Sequence, residues 1–295
     1  MSTTYDVDTA RRHVGSEMTL KVLTRTAVYL VAAVAIITSV IPVLYVWING
    51  FRSNPDINAN PGGLPNPWLT TNYEKVLTSE RFWGSLASST IIGLSTTAGV
   101  VILGIMAAFV IARYNFGGRR VLYTIFAAGL MFPLTVASLP LNILIRNIGL
   151  HGTHLGVILP QIAFALPMTV IILVPFLRAI PDELEEAAAI DGITRVGFFW
   201  RILLPLSMPG MVTVGVLAFI GSWNAYLLPL LIIAAGGMPQ DQWTLPLGAT
   251  QFATQYSQDT GAVLAYTAIS MVPALVFFLV AEKQIVGGLA GAVKG

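Results

Sequence analysis

Residues 155–177 read LGVILPQIAFALPMTVIILVPFL, an uncharged run long enough to cross a bilayer as one helix. The next segment, 178–205, reads RAIPDELEEAAAIDGITRVGFFWRILLP and holds eight charged side chains. This contrast is repeated along the whole chain of 295 residues. Its composition is 55% hydrophobic and 10% charged, with mean hydropathy +0.76. Soluble domains carry about 25% charged residues, so so few charges cannot cover a soluble surface. The composition excludes an ordinary cytosolic enzyme, a nucleic-acid-binding domain and a disordered chain. An all-α polytopic membrane protein remains. With no cysteine, a disulfide framework, a zinc–thiolate cluster and a catalytic thiol are also excluded.

Six stretches longer than about 20 residues lack any Asp, Glu, Lys or Arg: 26–51, 82–112, 121–145, 147–177, 202–240 and 260–281. Each charge at a helix centre costs roughly 2.5–3.5 kcal/mol on insertion, so these gaps predict six spans. We place them near Thr26–Ile48, Ser85–Ala112, Val121–Ile145, Leu155–Leu177, Met208–Ala234 and Val263–Ala281. The stretch 202–240 would make a helix of about 58 Å at 1.5 Å per residue, too long for one span. Pro205, Pro209, Pro229 and Pro239 mark where it begins, bends and ends.

Of the 16 Lys and Arg residues, 12 fall on the side of the two termini and 4 (Arg52, Lys75, Arg81, Arg146) on the other. The positive-inside rule therefore puts both termini in the cytoplasm. The first apolar run, of about 23 residues, exceeds a signal-peptide core and predicts a retained span. The resulting organisation is a cytoplasmic tail (1–25), a six-helix membrane domain (26–281) and a cytoplasmic tail (282–295). Extracytoplasmic loops lie at about 49–84, 146–154 and 235–262, and the main cytoplasmic loop at 178–205. In the first outer loop Asn72 is expected to cap a short helix, Asn72–Arg81. The last outer loop, with Trp243, Gln251, Gln255, Tyr256 and Gln258, has no Lys or Arg. Both loops read as solvated connectors or as docking surfaces.

In the 178–205 loop, Asp182 and Glu185 form a D-x-x-E pattern resembling a capping box. The helix Asp182–Asp191 carries acid at its positive end, and Gly192 supplies a stop at positive φ. Thr194 is placed to cap a second helix. Val196, Phe199, Trp200 and Leu203 would make its apolar face, and Pro205 would end it. Such a helix–Gly–helix unit serves either as an interfacial hairpin or as a dock for a protein partner.

The same loop contains Glu186-Ala187-Ala188, three residues, Gly192, nine residues, then Ile202-Leu203-Leu204-Pro205. The run resembles the EAA-x3-G-x9-I-x-L-P signature of ABC importer permeases at all seven fixed positions. The tail, Gln284-Ile285-Val286-Gly287-Gly288-Leu289 with Ala290-Gly291-Ala292-Val293-Lys294-Gly295, is similar to the end of MalG-like permeases of the carbohydrate-uptake branch. Trp223-Asn224-Ala225-Tyr226 resembles that branch's WNEF-type run, with Ala225 in place of the acid, and Ser88 stands where Asn is common.

The resemblance covers nearly the whole chain and implies a five-helix MetI-like core with one N-terminal helix added. It implies a multi-pass protein of the bacterial cytoplasmic membrane. Its partners would be a second, related permease subunit, two ATPase subunits and an extracytoplasmic sugar-binding protein. Glu186, Ala187, Ala188, Asp191, Gly192, Ile202 and Pro205 would form the ATPase-coupling segment. Gly287, Gly288, Leu289 and Lys294 would reach towards the ATPase interface. This chain would bind no cofactor, with ATP and Mg on the ATPase subunits. None of its four Lys follows a Gly, so it contains no P-loop.

Small and hydroxyl residues Ser85, Ser88, Ser89, Ser95, Thr96 and Gly99 lie roughly on one face of the second span, suiting helix packing or a pathway. Trp223, Asn224 and Tyr226, with Gln161 and the more distant Asn142, offer the aromatic, amide and hydroxyl groups a sugar would need. His151 and His154 lack a third ligand, which argues against a metal site. An ion-coupled secondary transporter usually keeps an embedded carboxylate, whereas all 14 acids lie outside the spans. An intramembrane enzyme would need an H-E-x-x-H motif, an embedded Asp pair or a Cys. The expected cargo is a di- or oligosaccharide, with glycerol-3-phosphate or a monosaccharide as the alternative.

Overall fold

The computed structural model describes residues 5–252 and 259–293, with side chains for residues 23–252, 259–280 and 282. The described residues are helical, without strands. In chain order the helices are α1 (Tyr5–Asn49), α2 (Asn54–Ala59), α3 (Thr71–Leu77), α4 (Glu80–Arg113), α5 (Arg119–Gly129), α6 (Leu134–Asn147) and α7 (His154–Arg178). They continue with α8 (Glu183–Ile190), α9 (Arg195–Leu206), α10 (Met208–Trp223) and α11 (Leu227–Pro229, running on as a π-helix, Leu230–Ala234). Last come α12 (Leu245–Gly248) and α13 (Thr260–Val293). Among the described residues four helices are long and apolar enough to cross a membrane, or six if each of two bent pairs is one span.

The expected third span is one of those pairs. Instead of a straight helix over Val121–Ile145, α5 and α6 meet at 101° across a break at 130–133. Pro133 opens α6 with no N–H to give to the preceding turn. The fifth span also departs from Met208–Ala234. Helix α10 stops at Trp223, and the chain resumes helical form at Leu227.

The core is built on α4 and α7. Side chains of α7 reach the α4 backbone at two glycines, where a Cβ on Gly99 would meet Ile162 Cδ1 at 2.3 Å and one on Gly104 would meet Thr169 Cγ2 at 2.3 Å. Small residues allow such contact where lipid supplies no hydrophobic drive between helices. Around this pair sits a buried cluster that includes Ile105, Phe109 and Ile111 of α4, Val170, Leu173 and Leu177 of α7, Phe198, Phe199 and Leu203 of α9, and Val214 of α10. Helix α1 contrasts with it, being exposed from Leu23 to Tyr45.

At the end of the molecule opposite Arg113 and Arg178, polar bonds tie the first loop together. The Arg52 side chain is fully buried and all five of its N–H groups are used. Nε donates to Asp56 Oδ2 at 2.5 Å, Nη1 to Asn49 Oδ1 and Gly63 O, and Nη2 to the carbonyls of Asp56 and Asn60. Asn72 is not the expected cap. Its Nδ2 donates to the carbonyls of Gly50 and Arg52, anchoring α3, which spans Thr71–Leu77, to the end of α1. Asp259 joins this loop to α13, accepting from Lys75 Nζ at 2.6 Å and Asn54 Nδ2 at 3.1 Å. The later loop folds back onto α4, where the Leu245 N–H donates to Ser89 Oγ at 2.7 Å. Of the small-residue stripe, Ser85, Ser88, Ser89 and Thr96 are buried and Ser95 is exposed.

Two predictions follow from this packing. Gly104→Val forces Thr169 to move and lowers stability by about 1–3 kcal/mol. Gly221→Ala, with nothing within 4 Å of the new Cβ, leaves it nearly unchanged; thermal unfolding in detergent measures both. The second concerns Asp259. Burial pushes its carboxyl up, but the bonds from Lys75, the Ala262 N–H and Asn54, with the Lys75 charge, outweigh it and hold the carboxyl below its usual 3.8. A lowered carboxyl pKa stabilises above the unfolded value, and that contribution fades as pH falls through the folded one. Asp259→Asn should therefore lower stability near neutral pH by up to about 1 kcal/mol, the range for a partly exposed pair. The gap to wild type should close below pH 3.8.

Candidate functional site

The 178–205 loop is shaped by local backbone chemistry. Gly192 has φ +76°, Gly192 N–H bonds Ala189 O at 3.1 Å, and Ile193 N–H bonds Ala188 O at 2.9 Å. This is a Schellman stop, and a left-handed residue is needed to make it. Thr194 caps α9 by accepting from Gly197 N–H at 3.2 Å. Helix α8 buries Ala188 and exposes Glu186, Ala187 and Ile190, with Asp191 and Gly192 also exposed after it. The exposed Ala187 and Ala189 leave the α8 backbone approachable between the larger Glu186 and Ile190.

Three expectations for this loop are corrected. The capping box does not form, because the Asp182 carboxylate accepts from Arg113 Nη1 rather than from a helix N–H. The apolar face of α9 is rotated, burying Phe198, Phe199 and Leu203 while Val196 and Trp200 stay exposed. A π-helical turn over Phe199–Leu203, in which Leu204 N–H reaches back five residues to Phe199 O, accompanies the rotation. Pro205, lacking an N–H, follows immediately and favours such a shift. Pro205 does not end the helix either. It lies inside α9, which ends at Leu206 and meets α10 at 73°. Ile202 packs, partly buried, against the core cluster.

A cavity of about 420 Å³ lies where the broken helices meet. Its wall takes Leu134 and Thr135 from the start of α6, Gln161 and Phe164 from α7, Thr96 from α4, and Gly221, Ser222 and the 225–228 segment around the α10–α11 break. No charged side chain lines it. Gln161 Oε1 accepts from Ser222 Oγ at 2.6 Å and from Thr96 Oγ1 at 3.0 Å, so one amide joins α4, α7 and α10. Gln161 Nε2 is buried without a partner.

Four residues expected to form one sugar-facing patch are divided between two sites. Gln161 and Tyr226 line this cavity. Trp223 and Asn224 line a second, largely apolar one of about 450 Å³ between α10, α12 and α13. The helix break at 224–226 separates them, and Trp223 Nε1 donates to Ser270 O at 3.3 Å. Asn142 turns away to Leu231 O at 2.6 Å, and His151 Nε2 lies 3.1 Å from the same carbonyl. Sequence reading overlooked Thr135 and Ser222; the Ser beside Trp223 was the available signal. Gly287, Gly288 and Leu289 fall within the backbone of α13. Their side chains, and Lys294, lie outside the described residues, as do Gln255, Tyr256 and Gln258.

Residues 99–283 match the family described as binding-protein-dependent transport system inner membrane component. The chain belongs to that family. It is 38% identical over 261 residues to the trehalose transport system permease protein SugB of Mycobacterium tuberculosis, covering 87% of this chain and 93% of that protein. It is 36% identical over 253 residues to the diacetylchitobiose uptake system permease protein NgcG of Streptomyces coelicolor, covering 85% and 82%. In fold it is similar to a chain of a bacterial ABC transporter involved in the import of the acidic polysaccharide alginate, with TM-score 0.73, 19% identity and coverage of 92% and 98%. The fold, the apolar helices and the family agree on a permease, a transport component that spans the membrane.

Gln161→Leu should strand the hydroxyl donors of Thr96 and Ser222 and lower stability by about 1–3 kcal/mol. Replacing all three together, with Thr96→Val and Ser222→Ala, should recover most of the loss, because no donor is then left without an acceptor. Thermal unfolding of the single and triple variants measures this, and equal losses would contradict it.

Proposed function

We propose that this chain is a membrane subunit of an ATP-driven importer that moves a neutral di- or oligosaccharide into the cytoplasm by alternating access. The observation that carries the cargo class is the uncharged cavity, lined by the amide of Gln161 and the hydroxyls of Thr96, Thr135, Ser222 and Tyr226. Such groups suit a polyol and give nothing to neutralise a phosphate, which disfavours glycerol-3-phosphate. The printed names of SugB and NgcG, a trehalose and a diacetylchitobiose permease, support the same class. In this reading Gln161 and Tyr226 contact the sugar in transit, while Trp223 and Asn224 shape the wall behind them.

The basic excess on the Arg113, Arg178 and Arg201 side supports a cytoplasmic position for that side and for both termini in this reading. There Glu186, Ala187, Ala188, Asp191 and Gly192 dock on an ATPase subunit, with Ile202 and Pro205 fixing the bend into α10. The tail segment Gly287–Leu289 and Lys294 reaches towards the same interface. A second, related permease completes the pathway, and an extracytoplasmic binding protein delivers the sugar. ATP and Mg²⁺ sit on the ATPase subunits, and this chain binds no cofactor of its own. The opposite end, tied by Arg52 and Asp259, faces the binding protein.

The test is uptake by the reconstituted assembly, with the sugar chosen by a thermal-shift screen on the binding protein. ATP-dependent sugar uptake is expected, and uptake by this chain alone without ATP would overturn the reading in favour of a secondary transporter. Gly192→Val should strain the turn by about 1–2 kcal/mol and cut uptake at least tenfold while the chain still inserts. Wild-type uptake by a fully assembled Gly192→Val complex would refute the coupling role.

A further inference from the structure

The C-terminal end of α4 grips the 178–205 loop on both sides of its Gly192 turn. On one side the Arg113 side chain, 3% exposed, donates from Nη1 to the Asp182 carboxylate and from Nη2 to Ile180 O at 2.6 Å. These two residues lead directly into α8. On the other side Arg195, the first residue of α9, lies with its guanidinium carbon 5.1 Å from the centre of the Tyr114 ring. Beneath them Phe109 packs on Phe199 at 5.0 Å and on Tyr114 at 5.4 Å. One short stretch, the last turn of α4 from Phe109 with the following Tyr114, thus holds the approach to α8, the start of α9 and the π-helical turn.

The Arg113 contact is costly to keep. Its Nε is buried without a partner, and with Asp182 88% exposed the ion pair itself contributes about 0–1 kcal/mol. A fold selected for packing alone would gain from an apolar residue here. What a guanidinium adds is direction, since a two-point bond to a carboxylate and a backbone carbonyl fixes both the position and the angle of the segment it holds. Helix α4 is also a cavity helix. Thr96 lies 17 residues before Arg113, about 25 Å along the same helix at 1.5 Å per residue, and is bonded to Gln161.

We propose that Arg113 is a positioning residue that ties α8 to α4, so that displacement of α8 moves the helix that carries Thr96 at the cavity. Tyr114 with Arg195 is the second, weaker tie on the far side of the turn. The link to transport rests on the importer reading above, whereas the mechanical tie between α8 and α4 does not.

Two experiments separate these. In the isolated chain, which has no native cysteine, spin labels at Ile190→Cys on α8 and Met106→Cys on α4 report their distance; both positions are exposed. Arg113→Gln should broaden or shift the distance distribution, and Arg113→Lys should do so less. An unchanged distribution in Arg113→Gln overturns the tie whatever the chain transports. In the assembly with its ATPase subunits, Arg113→Gln should lower sugar uptake per ATP hydrolysed at least tenfold. Joining Arg113→Cys to Asp182→Cys with a short bis-maleimide should restore that ratio to within about threefold of wild type. A wild-type ratio in Arg113→Gln, or no recovery on bridging, overturns the coupling role. A wild-type assembly without ATP-driven uptake would instead refute the importer reading, and the distance measurement would still decide the tie.

Discussion

In an apolar layer, the backbone must find its hydrogen-bond partners within the protein. A helix meets that demand along its length, and each interruption reopens it. Two interruptions, at 130–133 and at 224–226, adjoin the cavity beside Gln161, which Leu134 and Thr135 line just after the first and Ala225 and Tyr226 line within the second. Irregular backbone at membrane depth is tolerated where it is buried or lines a cavity. The constraint that makes most of the chain helical therefore also locates the place where it is not. Buried side-chain hydroxyls face the same demand, and those of Ser222 and Thr96 meet it at the amide oxygen of Gln161.

The two ends obey a different rule, because charge is admitted there. At one end Arg52 and Asp259 knit irregular loops to α1 and α13. At the other, Arg113 and Arg195 hold a helical loop against α4. Between them the Gly99 and Gly104 contacts keep α4 and α7 close. The molecule is thus a tightly packed shaft with a polar joint at each end.

Much of this was legible in residue order. The uncharged stretches marked the spans, because a buried charge is costly irrespective of what surrounds it. The turn at Gly192 and the cap at Thr194 were legible because both are local, decided within five residues. What could not be read depended on distant partners or on a change of helical period. Asp182 has the spacing of a capping box, but Arg113, 69 residues earlier in the chain, takes its carboxylate. The apolar face of α9 was counted at 3.6 residues per turn through a segment that makes a π-turn. Trp223 and Tyr226 share the chemistry a sugar needs and lie three residues apart, but the helix break between them sends their side chains to different cavities.

The saturation of Arg52 has a consequence for recognition. A guanidinium with every N–H engaged fixes the side chain of Asn49 and the backbone of Asp56, Asn60 and Gly63 together, so a loop rich in Asn and Pro is already ordered without a visitor. A surface prepared in this way loses little further conformational entropy when something settles on it. The ordering entropy of an encounter at that face then falls on the visiting molecule, and a rigid visitor is favoured over a flexible one.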